Sequence, residues 1–262
     1  MIDSHCHLDA AEFDEDRDAV HARALKHGVK GIVVPAVERA SFGAVSALCR
    51  DYACCYPAYG IHPLFIARAE ENDLQVLREV LTSASYTKQP PVAIGEIGLD
   101  HFMPQYDGAK QLFYFTEQLN IAKHLELPVI LHVRKAIDEV LRELRKYKVV
   151  GGIAHAFNGS RQQADEFIKL GFKLGFGGAM TWDRALRIRE LARTLPLESI
   201  VLETDSPDIP PEWLGDKGRN EPGELPRIAA VLANLRNITQ AEVERVTTSN
   251  VRTALRLEYT GF

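Results

Sequence analysis

"MIDSHCHLDAAEFDEDRDAVHARALKHGVKGIVVPAV", residues 1–37, reads as strand, helix, strand. Apolar runs open and close it: "MIDSHCH" at 1–7 and "GIVVPAV" at 31–37. Between them, "DEDRDAVHARALKHG" carries acids at its beginning and His27 then Gly28 at its end. That suits a helix dipole and a C-terminal cap. The same alternation continues along the chain, through "YPAYGIHP" (56–63), "PVAIGEIG" (91–98), "PVILHV" (128–133), "GGIAHAF" (151–157), "FKLGFGG" (172–178) and "SIVLETD" (199–205). Short apolar runs separated by amphipathic stretches are the pattern of a parallel α/β sheet. Eight such runs favour a closed (β/α)8 TIM barrel over an open doubly wound sheet, in a single domain over 1–262.

The stretches between the strands agree. "GSRQQADEFIKLG" (159–171) offers Ser160 as an N-cap and Gly171 as a stop. In "KQLFYFTEQLNIAKHLELP" (110–128), Leu112, Phe115, Leu119 and Ala122 fall at helical spacing before Pro128 begins the next strand. Thr239 and Glu242 stand in capping-box register. The longest irregular segment, "DSPDIPPEWLGDKGRNEPGELP" (205–226), follows the eighth strand. In a barrel that places it on the C-terminal rim, where active sites are built.

At 262 residues, 46 % apolar and 26 % charged, the chain has the composition of an ordinary globule. Its net charge of −5 argues against a protein that coats duplex nucleic acid through a broad basic surface. It leaves room for an enzyme that grips a nucleic-acid end through metals and a few arginines. Cys6, Cys49, Cys54 and Cys55 show no CxxC spacing and read as reduced thiols. With no signal-like or membrane-spanning run, the expected compartment is the cytoplasm, without membrane association.

In a strand, residues i and i+2 share a face, so His5 and His7 would point one way and Cys6 the other. An HxH pair alone is weak evidence for a metal. Further candidate ligands, however, close other strands: Glu96 ends "VAIGE", His132 ends "PVILH", His155 ends "GGIAH" and Asp205 ends "SIVLETD". Each follows apolar residues that would bury it, and a buried charge or imidazole needs a partner. Four imidazoles and two carboxylates suit two divalent ions sharing a bridging carboxylate, with Mg, Mn, Zn, Co, Ni or Fe(II) all compatible.

In order and context, "HCHLD", "GIHP", "GEIGLD", "PVILHVR", "HAFNGS", "ETDSP" and "RNEP" resemble the TatD-type metal-dependent hydrolases, a branch of the amidohydrolase-like barrels. The resemblance covers essentially the whole chain and implies a (β/α)8 barrel, a divalent-metal site and DNase activity, often exonucleolytic. It would put His5, His7 and Asp205 on one ion and His132 and His155 on the other, with Glu96 between them. The chain departs from the family pattern at His101, where Tyr is frequent, and in "HAFNGS", where "HCFSGS" is common. Both departures lie on the rim and bear on substrate preference.

The expected reaction is hydrolysis of phosphodiesters by a metal-activated water, Asp205 acting as general base and Glu203 supporting it. His62, Arg134, Asn158, Ser160, Arg219 and Asn220 are the candidate substrate contacts. Arg134 could clamp a phosphate bidentately, and Asn158 and Ser160 precede a helix N-terminus suited to anions. Trp182 could stack on a base, although an aromatic at a helix start more often packs. The expected substrate is single-stranded or frayed DNA, and a monomer is favoured.

Three rivals stand beside this reading. One is an esterase of the same barrel acting on D-aminoacyl-tRNA or another small ester. The second is a non-enzymatic metal-binding scaffold. The third is a polymerase-and-histidinol-phosphatase type phosphoesterase, which would need more histidine ligands.

Overall fold

The computed structural model describes residues 1–83, 89–102 and 106–257. Strands and helices alternate along the chain: β1 (Ile2–Asp3), α1 (Arg17–Lys26), β2 (Gly31–Pro35), α2 (Phe42–Asp51), β3 (Cys55–Tyr59), α3 (Glu71–Thr82), β4 (Ala93–Asp100) and α4 (Gly108–Leu125). They continue through β5 (Val129–Arg134), α5 (Ile137–Tyr147), β6 (Gly152–Ala154), α6 (Arg161–Lys169), β7 (Phe172–Phe176), α7 (Leu186–Thr194) and β8 (Ile200–Leu202), with α8 (Leu225–Arg236) and α9 (Gln240–Leu255) at the end. The strands form one eight-stranded sheet in chain order, β1 to β8. Ser4 N–H donates to Leu202 O at 3.1 Å, which brings the last strand back to the first. This is the (β/α)8 fold that the strand count predicts.

Several strands are shorter than the apolar runs suggest, and the reason is where their backbone groups turn. β1 ends at Asp3; beyond it, Cys6 N–H still donates to Val33 O, but His7 N–H has switched to Ser206 O. Asp205, just past β8, has φ 56° and turns the chain out of extended geometry. His5, His7 and Asp205 therefore sit on the loops that leave the strands. Helix starts match their signals: Ser160 and Gln163 form a reciprocal capping box on α6, and Thr239 accepts from Glu242 N–H at the start of α9.

Contacts divide the chain into two compact units. The first holds Met1–Val34, Ala156–Asn158 and Lys173–Phe262; the second holds Pro35–His155 and Gly159–Phe172. In the first, Ile32, Val33, Leu174, Ile200 and Val201 are fully buried, as are Ile228 and Leu232 of α8 and Val243 of α9. Asn250 of α9 donates its amide to Leu197 O and Ile200 O at 2.8 and 2.7 Å, fixing the entry to β8.

In the second unit, α4 does more than cover the sheet. Phe115, Leu119 and Ala122 are buried as their spacing predicts, but so are Gln111 and Gln118. Gln118 accepts from Ile61 N–H (2.7 Å) and donates to Ile61 O (3.0 Å). Gln111 makes the same pair of bonds with Asp100, each at 2.9 Å. Buried amides of this kind are stable only when both ends are satisfied, and here both are. The strand ends before His62 and after Leu99 are thus tied to one helix.

Candidate metal centre

Each unit carries its own cluster of imidazoles and carboxylates at strand ends. In the first unit, His5 Nε2 lies 3.2 Å from His7 Nε2 and 3.4 Å from Asp205 Oδ1, and His7 Nε2 is 3.8 Å from the same oxygen. His5 is fully buried, whereas the His7 side chain is 19 % exposed and faces the open side of the cluster. Main-chain bonds set these positions: Asp205 N–H donates to His5 O at 2.9 Å, and His7 N–H to Ser206 O at 2.8 Å.

Beneath them lies a buried polar network. Asp3 accepts from Thr204 N–H (3.0 Å), Thr204 Oγ1 (2.6 Å) and His5 N–H (3.3 Å). Its complete burial, opposed by those bonds, pushes its pKa up to about 7. Glu203, also buried, accepts from Ala156 N–H at 2.5 Å and from Ser4 Oγ at 3.3 Å, so it ties the residue after His155 to the residue before His5. A Cβ on Gly175 would stand 2.1 Å from the Glu203 carboxylate, so only glycine leaves room for it there.

In the second unit the cluster is tighter. Glu96 Oε1 lies 2.8 Å from His155 Nε2, 3.0 Å from His132 Nδ1 and 3.3 Å from His62 Nε2, and His155 Nε2 is 3.4 Å from His132 Nδ1. Register explains how Glu96 reaches that point. Ile94 pairs with Val129 and Ile97 with Leu131, so three steps on β4 match two on β5 and one extra residue bulges out. A bulge re-aims a side chain that regular alternation would send elsewhere. Next to it, Gly98 (φ 152°) brings β4 so close to β5 that a Cβ would lie 1.8 Å from His132 O.

His132 is held from its far side by Asp100, whose Oδ2 is 3.0 Å from Nε2. With the ring proton directed at that carboxylate, the Nδ1 lone pair faces Glu96 and His155, the orientation a metal ligand needs. Burial works against charge on His132, but the Asp100 and Glu96 carboxylates outweigh it and raise its pKa. Asp100 also accepts Phe102 N–H at 2.8 Å; although burial opposes ionisation, His132 and this bond keep its pKa below the usual carboxylate range.

These distances can be tested against a metal's demands. With metal–ligand bonds of about 2.0–2.1 Å, neighbouring ligand atoms stand about 3.3 Å apart in a tetrahedron and about 3.0 Å apart in an octahedron. The 3.2, 3.4 and 3.8 Å edges of the first triad bracket and slightly exceed that spacing, and the 2.8, 3.0 and 3.4 Å edges of the second fall around it. The donor sets are imidazole and carboxylate without thiolate, which suits borderline and hard divalent cations.

The other sequence candidates have varied places. His62 is buried, accepts Leu64 N–H on Nδ1 at 3.1 Å and turns Nε2 to Glu96, which puts it inside the second cluster. Arg134 is exposed, with its guanidinium 3.6 Å above the Phe102 ring. Asn158 accepts from Arg187 at 2.6 Å, and Ser160 caps α6. Arg219 makes two 2.7 Å contacts with Asp16. Asn220 is 0 % exposed; its amide donates to Thr204 O, Asp208 O and Ile209 O and its carbonyl accepts Glu221 N–H, so it pins the loop after β8. Trp182 donates to Pro210 O and carries Arg184 over its ring, a packing role. Beside Asp205 a cavity of about 140 Å³ is lined by Phe157, Phe176, Ala179, Ile188 and Ile209, with Glu203 at its wall.

Sequence reasoning missed Asp100, Asp3 and Thr204. Asp100 carried a usable signal, since it ends a strand that already supplies Glu96. Asp3 was legible only as a polar residue two before His5 on the same strand.

A parallel (β/α)8 sheet with imidazole and carboxylate triads at its strand ends defines a metal-dependent hydrolase. The profile of the TatD related DNase family matches residues 2–256, and the chain belongs to that family. It is 39 % identical to the uncharacterized metal-dependent hydrolase YjjV of Escherichia coli strain K12, over 97 % of this chain and 96 % of that one. The crystal structure of YjjV, described as a TatD homolog, superposes with a TM-score of 0.93 over 98 % of both chains. The 3'-5' ssDNA/RNA exonuclease TatD of Klebsiella pneumoniae strain 342 is 33 % identical over the full length of both. Among the described residues, no helix is long and apolar enough to cross a membrane.

Proposed function

We propose that the protein hydrolyses phosphodiester bonds of nucleic acid, single-stranded or frayed DNA ends first, using two divalent cations. His5, His7 and Asp205 would hold one, and Glu96, His132 and His155 the other, with His62 steadying the Glu96 carboxylate. The observation that supports this reading is the pair of triads whose edges lie close to those of a divalent cation's coordination polyhedron, with the 3.8 Å His7–Asp205 edge the longest. Divalent cations held there supply Lewis acidity, lowering the pKa of water and offsetting phosphate charge.

The protein's own part is positional. Asp205 takes the proton of the attacking water as the water oxygen bonds to phosphorus and the P–O bond to the leaving nucleotide breaks. Glu203 and Asp3 keep the loops that carry Asp205, His5 and His7 fixed. The cavity beside Asp205 is close in size to the ~150 Å³ that takes one benzene ring, and it would receive a flat group of the substrate.

The test is digestion of end-labelled single-stranded and duplex oligonucleotides across a titration of Mg, Mn, Zn, Co and Ni, with D-aminoacyl-tRNA as a parallel substrate. A ladder from single strands, lost with chelator, is expected. Turnover of the tRNA ester alone would replace the nuclease reading with an esterase.

A further inference from the structure

On the outer side of the second cluster lies a group of aromatic and cationic side chains that the hydrolytic chemistry does not use. Phe102 follows β4 and leaves 48 % of its surface exposed, a large apolar ring that folding does not bury. The Arg134 guanidinium lies 3.6 Å from its ring centroid and Lys135 Nζ 4.7 Å. Both are exposed residues at the end of β5. His101 stacks nearly parallel on Tyr106, 4.6 Å between centroids at 14°, and Tyr106 is itself 42 % exposed. The acid facing this group is Glu139, 3.7 Å from His101 Nε2.

The group is mechanically joined to the metal cluster. Phe102 N–H bonds Asp100, which orients His132, and His101 N–H donates to Arg134 O at 2.9 Å. Arg134 is two residues beyond His132 on one strand and pairs in register with Asp100.

We propose that Phe102, flanked by Arg134 and Lys135, is a stacking platform for an unpaired base of a single-stranded nucleic acid whose phosphate lies in the metal centre. An exposed ring and a guanidinium plane both accept a base face without regard to sequence. In the free protein the cations rest on the ring's electron-rich face. When a strand arrives, the base takes that face and the cations move to the flanking phosphates, so the ring is covered by charge or by base in either state. A duplex, whose bases are already stacked on each other, cannot make this exchange. The proposal rests on the nuclease reading and names how that site would select unpaired ends.

The experiment measures fluorescence anisotropy of labelled, phosphorothioate-linked oligothymidylate with the metal-loaded full-length protein, alongside steady-state cleavage of the ordinary phosphodiester strand. Phe102→Ala should weaken binding about tenfold and raise KM while kcat stays near wild type. Phe102→Trp should retain the affinity. Arg134→Ala should weaken binding and flatten its logarithmic salt dependence by about 0.7. Phe113→Ala, which removes an equally exposed ring from α4, should change neither. Unchanged affinity and KM in a folded Phe102→Ala protein would overturn the platform and leave the nuclease standing. Tight binding lost in Phe102→Ala but no cleavage by wild type would do the reverse. If Phe102→Ala abolishes a self-association of the protein and leaves oligonucleotide affinity intact, the patch faces a second copy and the platform is refuted.

Discussion

The two ligand clusters are built on opposite principles. In the first, His5, His7 and Asp205 are spaced at 3.2–3.8 Å and are positioned by main-chain bonds between two loops, over a buried Asp3–Thr204 network. In the second, one oxygen of Glu96 gathers three imidazoles within 3.3 Å, and Asp100 Oδ2 stands 3.0 Å from His132 Nε2 on its far side. The first is set by main-chain bonds and the second by side chains, and each keeps one partly exposed imidazole, His7 at 19 % and His132 at 16 %. In the proposed reaction the first would take the reacting water and the second would anchor an ion. The difference teaches that ligand sets of the same chemistry can be held by main-chain bonds in one place and by side-chain contacts in another.

Removing the proton acceptor of the first cluster or a ligand of the second should have the largest effects. Asp205→Asn should lower kcat on oligonucleotides about a thousandfold, because it removes a proton acceptor while keeping the shape. His155→Ala should abolish activity too, but through metal content, which mass spectrometry of the loaded protein would show as a lost equivalent. If Asp205→Asn kept wild-type kcat once saturated with metal, Asp205 would not be the proton acceptor.

Asp100→Asn sharpens the contrast, because of the two clusters it touches the second alone. Loss of the carboxylate that orients a ligand histidine should weaken metal binding by about 10- to 100-fold. The pH dependence gives the sign. A His132 whose pKa is raised stays protonated further up the pH scale, and a metal must displace that proton, so wild-type affinity falls as pH drops through the His132 titration. Without Asp100 that pKa falls, proton competition fades, and the gap between variant and wild type should narrow at low pH. Isothermal titration in two buffers of different ionisation enthalpy would measure both the affinity and the protons released.

A smaller effect tests the loop scaffold of the first cluster. Asn220→Ala deletes a buried amide that serves three carbonyls and one N–H, and should cost about 2 kcal/mol in chemical denaturation, with kcat reduced and second-cluster metal affinity kept. The smallest concerns the thiol between the two histidines. Burial pushes the Cys6 thiol pKa well up, with nearby acids adding to it, so Cys6 should resist alkylation at neutral pH while the half-buried Cys54 reacts. Mass mapping after brief iodoacetamide treatment would show the order, and faster labelling of Cys6 would mean that the first cluster breathes more than its hydrogen bonds allow.

Much of this was legible in the chain. Strand count gave the barrel, because eight apolar runs punctuated by helix caps leave few other architectures, and six of the clustered side chains were marked by ending those runs. The strand lengths were not legible, since β1 keeps only Ile2 and Asp3 while the histidines ride the loop beyond it. Nor was Asp100 as a partner of His132, because a strand's alternation says which face a residue takes but not which histidine it meets 32 positions away. Gln111 and Gln118 drew no notice in a helix marked by Leu112, Phe115, Leu119 and Ala122, and only the fold shows that they are buried and bonded. Asn220 and Arg219 read as substrate contacts in a rim loop; in the structure Arg219 bonds Asp16 and the Asn220 amide bonds Thr204 O, pairings that nothing in the sequence announces.

Those two glutamines have one more consequence. They stand seven residues apart, two turns of α4, and each grips only the peptide group of its target, never its side chain. A clamp that reads backbone is indifferent to spelling. A substitution beside these strand ends, as at His101, therefore leaves both clamps intact, and α4 works as a fixed jig for the positions of Asp100 and His62.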